Sequence, residues 1–238
     1  MKVFWKSDIG KVRQRNEDFI LVDRDRGIFL LADGMGGLPG GDVASSLAVS
    51  SAHKLLAARL GTTEEGGLAQ LVADALALAH AAVSRRGVEK PEISGMGATL
   101  DILCLREKSA WISHVGDSRV YHLRQEELRQ VTTDDNLASA LALKGAAPEE
   151  IPPGARHMLT QAIGSSQGVV PQIHHLDLED GDLVLMCSDG LTAMVPDNII
   201  AQYMTEYRYD TEGCAYRLVA DALARGGYDN VSVIIIAI

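Results

Sequence analysis

The 238-residue sequence contains little cysteine and has no long uninterrupted apolar run. Its three cysteines, Cys104, Cys187 and Cys214, are an odd number and lack the spacing of a zinc site. Because Cys104 and Cys187 lie in apolar, strand-like runs, we expect buried, reduced thiols, which fit a cytoplasmic protein. The N-terminus lacks the apolar segment of a signal peptide, and no run approaches the length of a membrane span. The sequence therefore predicts a cytoplasmic protein with no membrane partner.

Positive charge is also in deficit, because 22 basic residues face 32 acidic ones and the formal net charge is −10. This balance argues against a nucleic acid or an anionic membrane as the partner. Hydrophobic residues make up 47% of the chain and charged residues 23%, which is typical of a globular protein. The chain has neither a dividing linker nor an internal repeat, so we expect residues 1–238 to form a single domain.

Several catalytic signatures are missing from the sequence. There is no phosphate-binding loop of the form G-x-x-x-x-G-K-[ST] and no G-x-S-x-G nucleophile elbow. The glycine-rich stretch 34–37 does not continue as G-x-G-x-x-G, because Pro39 occupies the position of the third glycine. Neither Cys104 nor Cys187 is followed by the arginine that closes a cysteine-phosphatase loop. The acidic stretch 23–25 lacks the threonine of an aspartate-nucleophile motif and is predicted to be a solvated turn.

The apolar periodicity predicts an α+β protein. Strand-like runs come mostly in hairpin-sized pairs, which favours antiparallel sheets with helices in separate layers. Gly27 is expected to supply the turn of the first hairpin. The Pro- and Gly-rich stretch 145–158 is predicted to be a loop, and Asp134 is predicted to cap a helix that ends at Lys144. The predicted strands cover 3–5, 19–22, 28–32, 98–105, 110–115, 119–124, 171–178, 182–187 and 231–238, and the helices 42–60, about 67–84, 134–144, 197–205 and 211–225.

Four aspartates stand beside glycines or turns at the predicted ends of strands. Asp33, Asp117 and Asp189 each follow an apolar run, whereas Asp229 precedes one. Any one of them alone would more readily be a turn residue. Four carboxylates directed at one place would repel each other unless cations lay between them, so the set suggests a site for a hard metal ion.

Seven sequence motifs, spread in order over nearly the whole chain, match the pattern of a known protein family. They are SDIGKVRQRNEDF at 7–19, LADGMGGLPGGDVAS at 31–45, GMGATL at 95–100, VGDSRVYHLR at 115–124, LTQAIG at 159–164, GDLVLMCSDGL at 181–191 and GGYDNVSVII at 226–235. In these motifs the sequence closely resembles the type 2C class of metal-dependent Ser/Thr protein phosphatases, in their compact bacterial form. The resemblance implies a four-layer α-β-β-α sandwich of two antiparallel sheets flanked by helices.

The resemblance also implies a role for each of the four aspartates. Asp33 would bridge two Mn²⁺ or Mg²⁺ ions, and the Gly34 carbonyl would complete the coordination of one of them. Asp189 and Asp229 would hold the other ion, and Asp117 with Asp189 would serve a weaker third one. Oxygen-only ligands suit these hard cations, which keep several of their own waters.

Three residues near the N-terminus complete the expected site. By resemblance, Glu17 and Asp18 would act mostly through metal-bound waters, and Arg13 would bind the substrate phosphate, to which a guanidinium can form a bidentate pair. The implied reaction is hydrolysis of phosphoserine and phosphothreonine in proteins by a water that bridges two metals, with no covalent intermediate. The expected partners are phosphorylated proteins, including a bacterial Ser/Thr kinase whose signalling the enzyme would oppose, and the chain is expected to be a monomer.

The chain departs from the family pattern at a few positions. Met35 replaces a histidine that eukaryotic members carry, which leaves the proton donor to the leaving group open between a metal-bound water and His157. A single histidine without a partner is more readily an ordinary surface or loop histidine than a proton donor. The stretch 145–158 lacks the His-Pro of related flaps, and Leu38 and Pro39 are expected to have only local effects.

Supporting roles and rival functions also stay open. Asp8 and Asn16 are expected to support loop geometry, and Arg119 to pair with a nearby acid. A non-catalytic regulatory domain would have lost at least one ligand, whereas this sequence retains the full set. Hydrolysis of a small phosphoester, phosphotyrosine or phosphohistidine remains a further alternative.

Overall fold

The computed structural model describes residues 1–35 and 40–238, so the departures at Leu38 and Pro39 lie outside the described residues. The strands are β1 (Lys2–Asp8), β2 (Phe19–Asp23), β3 (Ile28–Ala32), β4 (Leu100–Arg106), β5 (Ser109–Val115), β6 (Arg119–Arg124), β7 (Glu127–Gln130), β8 (Gln172–Asp177), β9 (Leu183–Cys187) and β10 (Val231–Ala237). The helices are α1 (Gly41–Arg59), α2 (Leu68–Glu89), α3 (Leu137–Leu143), α4 (Asp189–Thr192), α5 (Asp197–Glu206) and α6 (Thr211–Ala224).

The strands form two five-stranded antiparallel sheets. The first has the order β1-β10-β9-β6-β7 and the second β2-β3-β4-β5-β8. Helices α1 and α2 cover the outer face of the second sheet, and α4, α5 and α6 cover that of the first. A third apolar layer fills the space between the sheets. The predicted α-β-β-α sandwich is confirmed.

Burial on both faces explains the uninterrupted apolar runs of the central strands. In β3, Ile28 and Leu30 face the helices, whereas Phe29 and Leu31 face the opposite sheet. Successive side chains of a strand point to opposite faces, so a strand between two apolar layers has no polar face. Gly27 has the predicted left-handed conformation, with φ +68°, in the hairpin between β2 and β3.

Local details differ from the sequence predictions in three places. Asn136, and not Asp134, caps α3, since its side-chain oxygen accepts a hydrogen bond from the Ser139 N–H at 2.9 Å. The Asp134 carboxylate instead accepts two hydrogen bonds from Arg119, both at 2.8 Å, which confirms the predicted acid partner of that arginine. Strand β7 and the one-turn helix α4 were not predicted. The stretch 145–158 is mainly loop, with short 3₁₀ turns at 148–150 and 155–157.

One helical segment, Glu65–Glu89, is long and apolar enough to cross a membrane by length and composition alone. The expectation that no segment reaches that length is therefore wrong on this criterion. Its helix α2 packs against α1 and the second sheet, and Leu71, Val72, Leu76 and Val83 are buried there. A core helix meets the same criterion, and the packing of α2 is that of a core helix.

Candidate metal centre and active site

The sheet register brings the four aspartates to one end of the sandwich. Strands β3 and β5 both pair antiparallel with β4, so they run parallel to each other and their C-terminal ends meet. Asp33 follows β3 directly, and Asp117 lies two residues beyond β5. In the other sheet, Cys187 at the end of β9 pairs with Val233 near the start of β10. That pairing brings Asp189 and Asp229 to the same end of the first sheet.

A hydrogen bond across the two sheets shows that these ends face each other. The Ser188 hydroxyl, beside Asp189, donates to Oδ2 of Asp18 at 2.8 Å, and Asp18 directly precedes β2 of the other sheet. The other carboxylate oxygen of Asp18, Oδ1, is buried and has no hydrogen-bond partner among the described residues. A buried carboxylate oxygen without a partner is costly unless a cation or ordered water satisfies it.

The carboxylates strongly perturb one another's protonation. Burial raises the pKa of Asp33 well above its ordinary value, and the negative charges of Asp18, Asp189, Asp117 and Asp229 raise it further. Burial and the charges of Asp189 and Asp229 raise the pKa of Asp18 to about 7, although hydrogen bonds from two serines oppose the shift. Burial, followed by the charge of Asp229, also raises the pKa of Asp189. These groups are ionised together only if positive charge is supplied between them.

Arg13 supplies one positive charge at the rim of the cluster. Its Nη2 lies 2.7 Å from Oδ2 of Asp229, and both side chains keep about a third of their surface in solvent, 36% and 32%. This hydrogen bond raises the pKa of Arg13, against the effect of burial, and the charges of Glu17 and Asp33 act in the same direction. A guanidinium so placed can contact an anion that approaches the aspartates from solvent.

Glu17 and Gly34 form a tightly packed part of the site at the start of α1. The Gly34 N–H donates to the Glu17 carbonyl at 3.1 Å. A Cβ on Gly34 would lie 2.8 Å from that carbonyl oxygen and would also collide with the Gly41 carbonyl, so only glycine fits. None of the described residues donates a hydrogen bond to the Gly34 carbonyl. Burial and the charge of Asp42 raise the pKa of Glu17.

Asp117 and Asp189 both line a cavity of about 250 Å³. Burial raises the pKa of Asp117 to about 7, and the charges of Asp189 and Asp134 contribute. His157 is exposed at the mouth of this cavity, and its charge lowers the pKa of Asp189. The structure thus places His157 near the cluster, and its assignment as proton donor stays a hypothesis. The cavity is lined by Asp117, Arg119, Asp134, Asn136, Arg156, His157, Asp189, Thr192, Ala193 and Met194.

The donor set suits cations that keep much of their own water. Within residues 1–35 and 40–238, no three Asp, Glu, His or Cys side chains converge closely enough to enclose an ion by themselves. Mg²⁺ and similar hard cations are commonly held by only one or two carboxylates, with water completing the shell. The unpartnered Asp18 oxygen and the mutual repulsion around Asp33 fit such ions. Asp33, Asp117, Asp189, Asp229 and the Gly34 carbonyl would hold them, and Glu17 and Asp18 lie where water could link them to the ions.

Sequence reasoning missed the residues that hold this arrangement together. Asn230 is 4% exposed, and its side chain accepts from the Glu17 N–H at 2.8 Å and donates to two carbonyls, those of Ile9 and Arg15, both at 2.9 Å. Thr99 accepts from the Asp33 N–H at 2.9 Å. The position of Asn230 directly after Asp229 was the one local signal. Asp8 and Asn16 have the expected supporting roles, since their side chains bond neighbouring loop atoms.

Comparison with known proteins gives a consistent result. The sequence model described as "Protein phosphatase 2C" matches residues 10–223. The serine/threonine protein phosphatase PstP of Mycobacterium tuberculosis is 35% identical over 233 residues, which are 97% of this chain and 43% of that protein. The protein phosphatase PhpP of Streptococcus pneumoniae is 31% identical over 243 residues, 100% of this chain and 97% of PhpP. The chain thus spans under half the length of the first of these relatives and nearly all of the second.

The fold comparison agrees with the sequence comparison. The crystal structure of the catalytic domain of PstP in complex with two manganese ions superposes with a TM-score of 0.85 at 32% identity, covering 98% of this chain and 96% of that one. The motif order, the two-sheet sandwich, the aspartate cluster and the family match all lead to the same assignment. The chain belongs to the protein phosphatase 2C family.

Proposed function

We propose that the chain is a metal-dependent protein phosphatase that hydrolyses phosphoserine and phosphothreonine with two Mn²⁺ or Mg²⁺ ions and a weaker third one. The observation that carries this proposal is the oxygen-only cluster of carboxylates from both sheets, with raised pKa values and a guanidinium at its rim. Such a cluster is costly in an apoprotein and is stabilised by cations. The family and the manganese-bound PstP structure support the same chemistry.

The residues of the chain would bind and orient the phosphorylated side chain. Bound divalent ions supply Lewis-acid activation of water and neutralise charge on the phosphoryl group. Arg13, partly open to solvent, lies where its guanidinium can pair with phosphate oxygens. The cross-sheet bond from Ser188 to Asp18 keeps the two halves of the cluster in register, and the Asn230 contacts fix the segment that carries Arg13.

The test measures hydrolysis of an aryl phosphate and of a phosphothreonine peptide with Mn²⁺ and then with chelator. Turnover should require Mn²⁺ and should be lost in Asp189→Asn, because Asp189 would lose the negative charge with which it would hold a metal ion. Asp25→Asn, in an exposed turn, is the matched control and should retain activity. Full activity in chelator, or none with any divalent metal, would contradict the proposal. A panel of phosphoserine, phosphothreonine, phosphotyrosine and phosphohistidine peptides separates this function from the broader hydrolase alternative.

The cellular setting is part of the same proposal. The chain acts in the cytoplasm as a monomeric single domain on phosphorylated proteins, among them a Ser/Thr kinase whose signalling it opposes. The relatives named as Ser/Thr protein phosphatases support the phosphoprotein substrate. Sedimentation of the purified chain tests the monomer, and a change in kinase phosphorylation after deletion of the phosphatase gene tests the partner.

A further inference from the structure

Strand β1 forms an outer edge of its sheet, and residues of β1 and of β2, an edge strand of the other sheet, line the same groove. Among the described residues, no strand pairs with the outer side of β1, although the strand is seven residues long. An edge of this length offers a row of backbone donors and acceptors to another extended chain. Proteins usually block such edges with charge, and Lys2 and Lys6 could serve that purpose alone.

Exposed aromatic side chains at this edge argue for a more specific role. Trp5 is 50% exposed, Tyr216 49% and Phe19 37%. Together with Phe4 they line an open groove of about 500 Å³. The Phe4 and Tyr216 rings are 5.7 Å apart, and Nζ of Lys6 lies 4.7 Å from the centre of the Tyr216 ring. Large apolar side chains gathered at an open edge are typical of an interaction surface, not of a blocked edge.

The charge around the groove indicates the chemistry of its partner. Strand β1 itself carries two basic side chains, Lys2 and Lys6, and a single acidic one, Asp8, in a chain whose overall charge is −10. Asp8 already accepts a hydrogen bond from the Gly10 N–H at 2.9 Å. Lys2 is exposed to solvent, and Lys6 lines the groove. A basic strip on an otherwise acidic protein attracts an acidic partner and fixes its orientation.

The groove is continuous with the candidate active site. Its lining includes Ser7, Asn16 and Asp18, and the Asn16 side chain donates to the Ser7 hydroxyl at 2.7 Å. Asp18 accepts a hydrogen bond at 2.8 Å from Ser188, the residue beside Asp189 of the aspartate cluster. A chain bound along β1 therefore extends toward the place where a phosphorylated side chain would react.

We propose that β1 and this aromatic groove form a docking site for an extended acidic segment of the phosphoprotein substrate, which adds as a strand to the β1 edge. Backbone hydrogen bonds to β1 supply affinity, the aromatic groove receives alternate side chains, and the basic strip selects acidic residues. The proposal rests on the proposed phosphatase function for the identity of the substrate. The binding surface itself can be tested without catalysis.

The binding experiment uses Trp5 as a reporter. The other tryptophan, Trp111, is only 6% exposed, so a change in emission on titration should come from Trp5. The probe is an unphosphorylated acidic peptide of about ten residues with alternating β-branched and glutamate residues. We expect saturable quenching or a spectral shift, absent in Trp5→Phe, and at least roughly tenfold weaker binding of a peptide N-methylated at alternate residues. Equal binding of the N-methylated peptide, or of a lysine-for-glutamate peptide, would overturn the proposal.

The kinetic experiment separates docking from chemistry. In Lys6→Glu, KM for an acidic phosphothreonine peptide should rise about tenfold, with unchanged kcat, and hydrolysis of an aryl phosphate should stay at the level of the unmodified chain. Lys54→Glu, an exposed change on α1, is the matched control and should alter neither substrate. An unchanged peptide KM in Lys6→Glu would refute the docking site. Absence of all hydrolysis would contradict the phosphatase function and leave the peptide titration to decide docking. Concentration-dependent dimerisation abolished by Trp5→Phe would assign the edge to a second copy and overturn the proposal.

Discussion

Asn230 holds the N-terminal loop of the candidate site, and replacing it by alanine should destabilise the protein measurably. The side chain is 4% exposed and makes three hydrogen bonds, to the backbone of Ile9, Arg15 and Glu17. Each such bond contributes about 1 kcal/mol net, and a buried group left without a partner costs more. The expected loss is therefore about 3 kcal/mol of unfolding free energy, a large share of the roughly 5–15 kcal/mol of an ordinary domain.

Urea unfolding followed by tryptophan emission measures this loss. With a slope of about 2–3 kcal/mol per M, the midpoint should fall by roughly 1 M. Asn198→Ala, an exposed change in α5, is the matched control and should shift stability by less than about 0.5 kcal/mol. A loss below about 1 kcal/mol in Asn230→Ala would refute the view that this side chain holds the loop.

Asn230→Asp refines the same prediction. Aspartate keeps the acceptor for the Glu17 N–H but at neutral pH loses both donors and sets a negative charge against the two carbonyls of Ile9 and Arg15. It should be at least as destabilising as alanine at pH 7. The loss of unfolding free energy in Asn230→Asp, relative to the unmodified chain at the same pH, should be smaller in acid. There the aspartate is protonated, and its carboxyl can donate one hydrogen bond again.

Three further changes test other parts of the structure. Burial alone would lower the pKa of His114, but the Asp101 carboxylate, 2.6 Å away, outweighs burial and raises that pKa. Asp101→Asn should therefore lower the unfolding free energy by about 3 kcal/mol below pH ~6.5, and by less as pH rises through the raised pKa of His114. Urea titrations at acid and alkaline pH measure this difference. Burial alone would raise the pKa of Asp182, but hydrogen bonds, first among them those from Arg124, lower it. Asp182→Asn should therefore lower the unfolding free energy by about 2 kcal/mol at pH 7, as measured by thermal unfolding. The difference should disappear as pH falls through the lowered pKa of Asp182. Gly34→Ala should reduce Mn²⁺-dependent turnover on the order of 10²-fold, since the added Cβ would collide with the Glu17 carbonyl. Unchanged turnover would mean that the close packing of Gly34 against this carbonyl is not needed for activity.

The features that could be predicted from the sequence are those that depend on a local pattern of residues, such as the central strands and the aspartates at their ends. Strands such as β3 and β10 lie between two apolar layers, so their apolar runs identify them whatever their partners. The positions of Asp33 and Asp189 at strand ends follow from the same runs and from the glycines beside them. The layered fold could be predicted because hairpin-sized spacing favours antiparallel neighbours.

Features that depend on competition between distant groups could not be predicted. The position of Asp134 in the sequence is typical of a helix cap, but its carboxylate binds Arg119, and Asn136 caps the helix instead. Strand β7, with the sequence ELRQ, has no strong strand pattern and forms because β6 offers it an edge. The Asn230 and Ser188 contacts join segments 213 and 170 residues apart in the chain, and no local pattern reports such pairs.

The aspartate cluster shows why the register of the two sheets matters for the proposed chemistry. Asp33 follows a strand of one sheet, Asp189 and Asp229 adjoin strands of the other, and Asp117 lies in the connection from β5 to β6 between the sheets, so a shift of one sheet against the other would separate the cluster. The raised pKa values show that the same carboxylates repel each other across this boundary. Cations bound there would stabilise the folded state as well as act in hydrolysis. Metal binding and closure of this end of the sandwich are therefore expected to be coupled, and the bonds from Ser188 to Asp18 and from the Glu17 N–H to Asn230 link the two sheets directly.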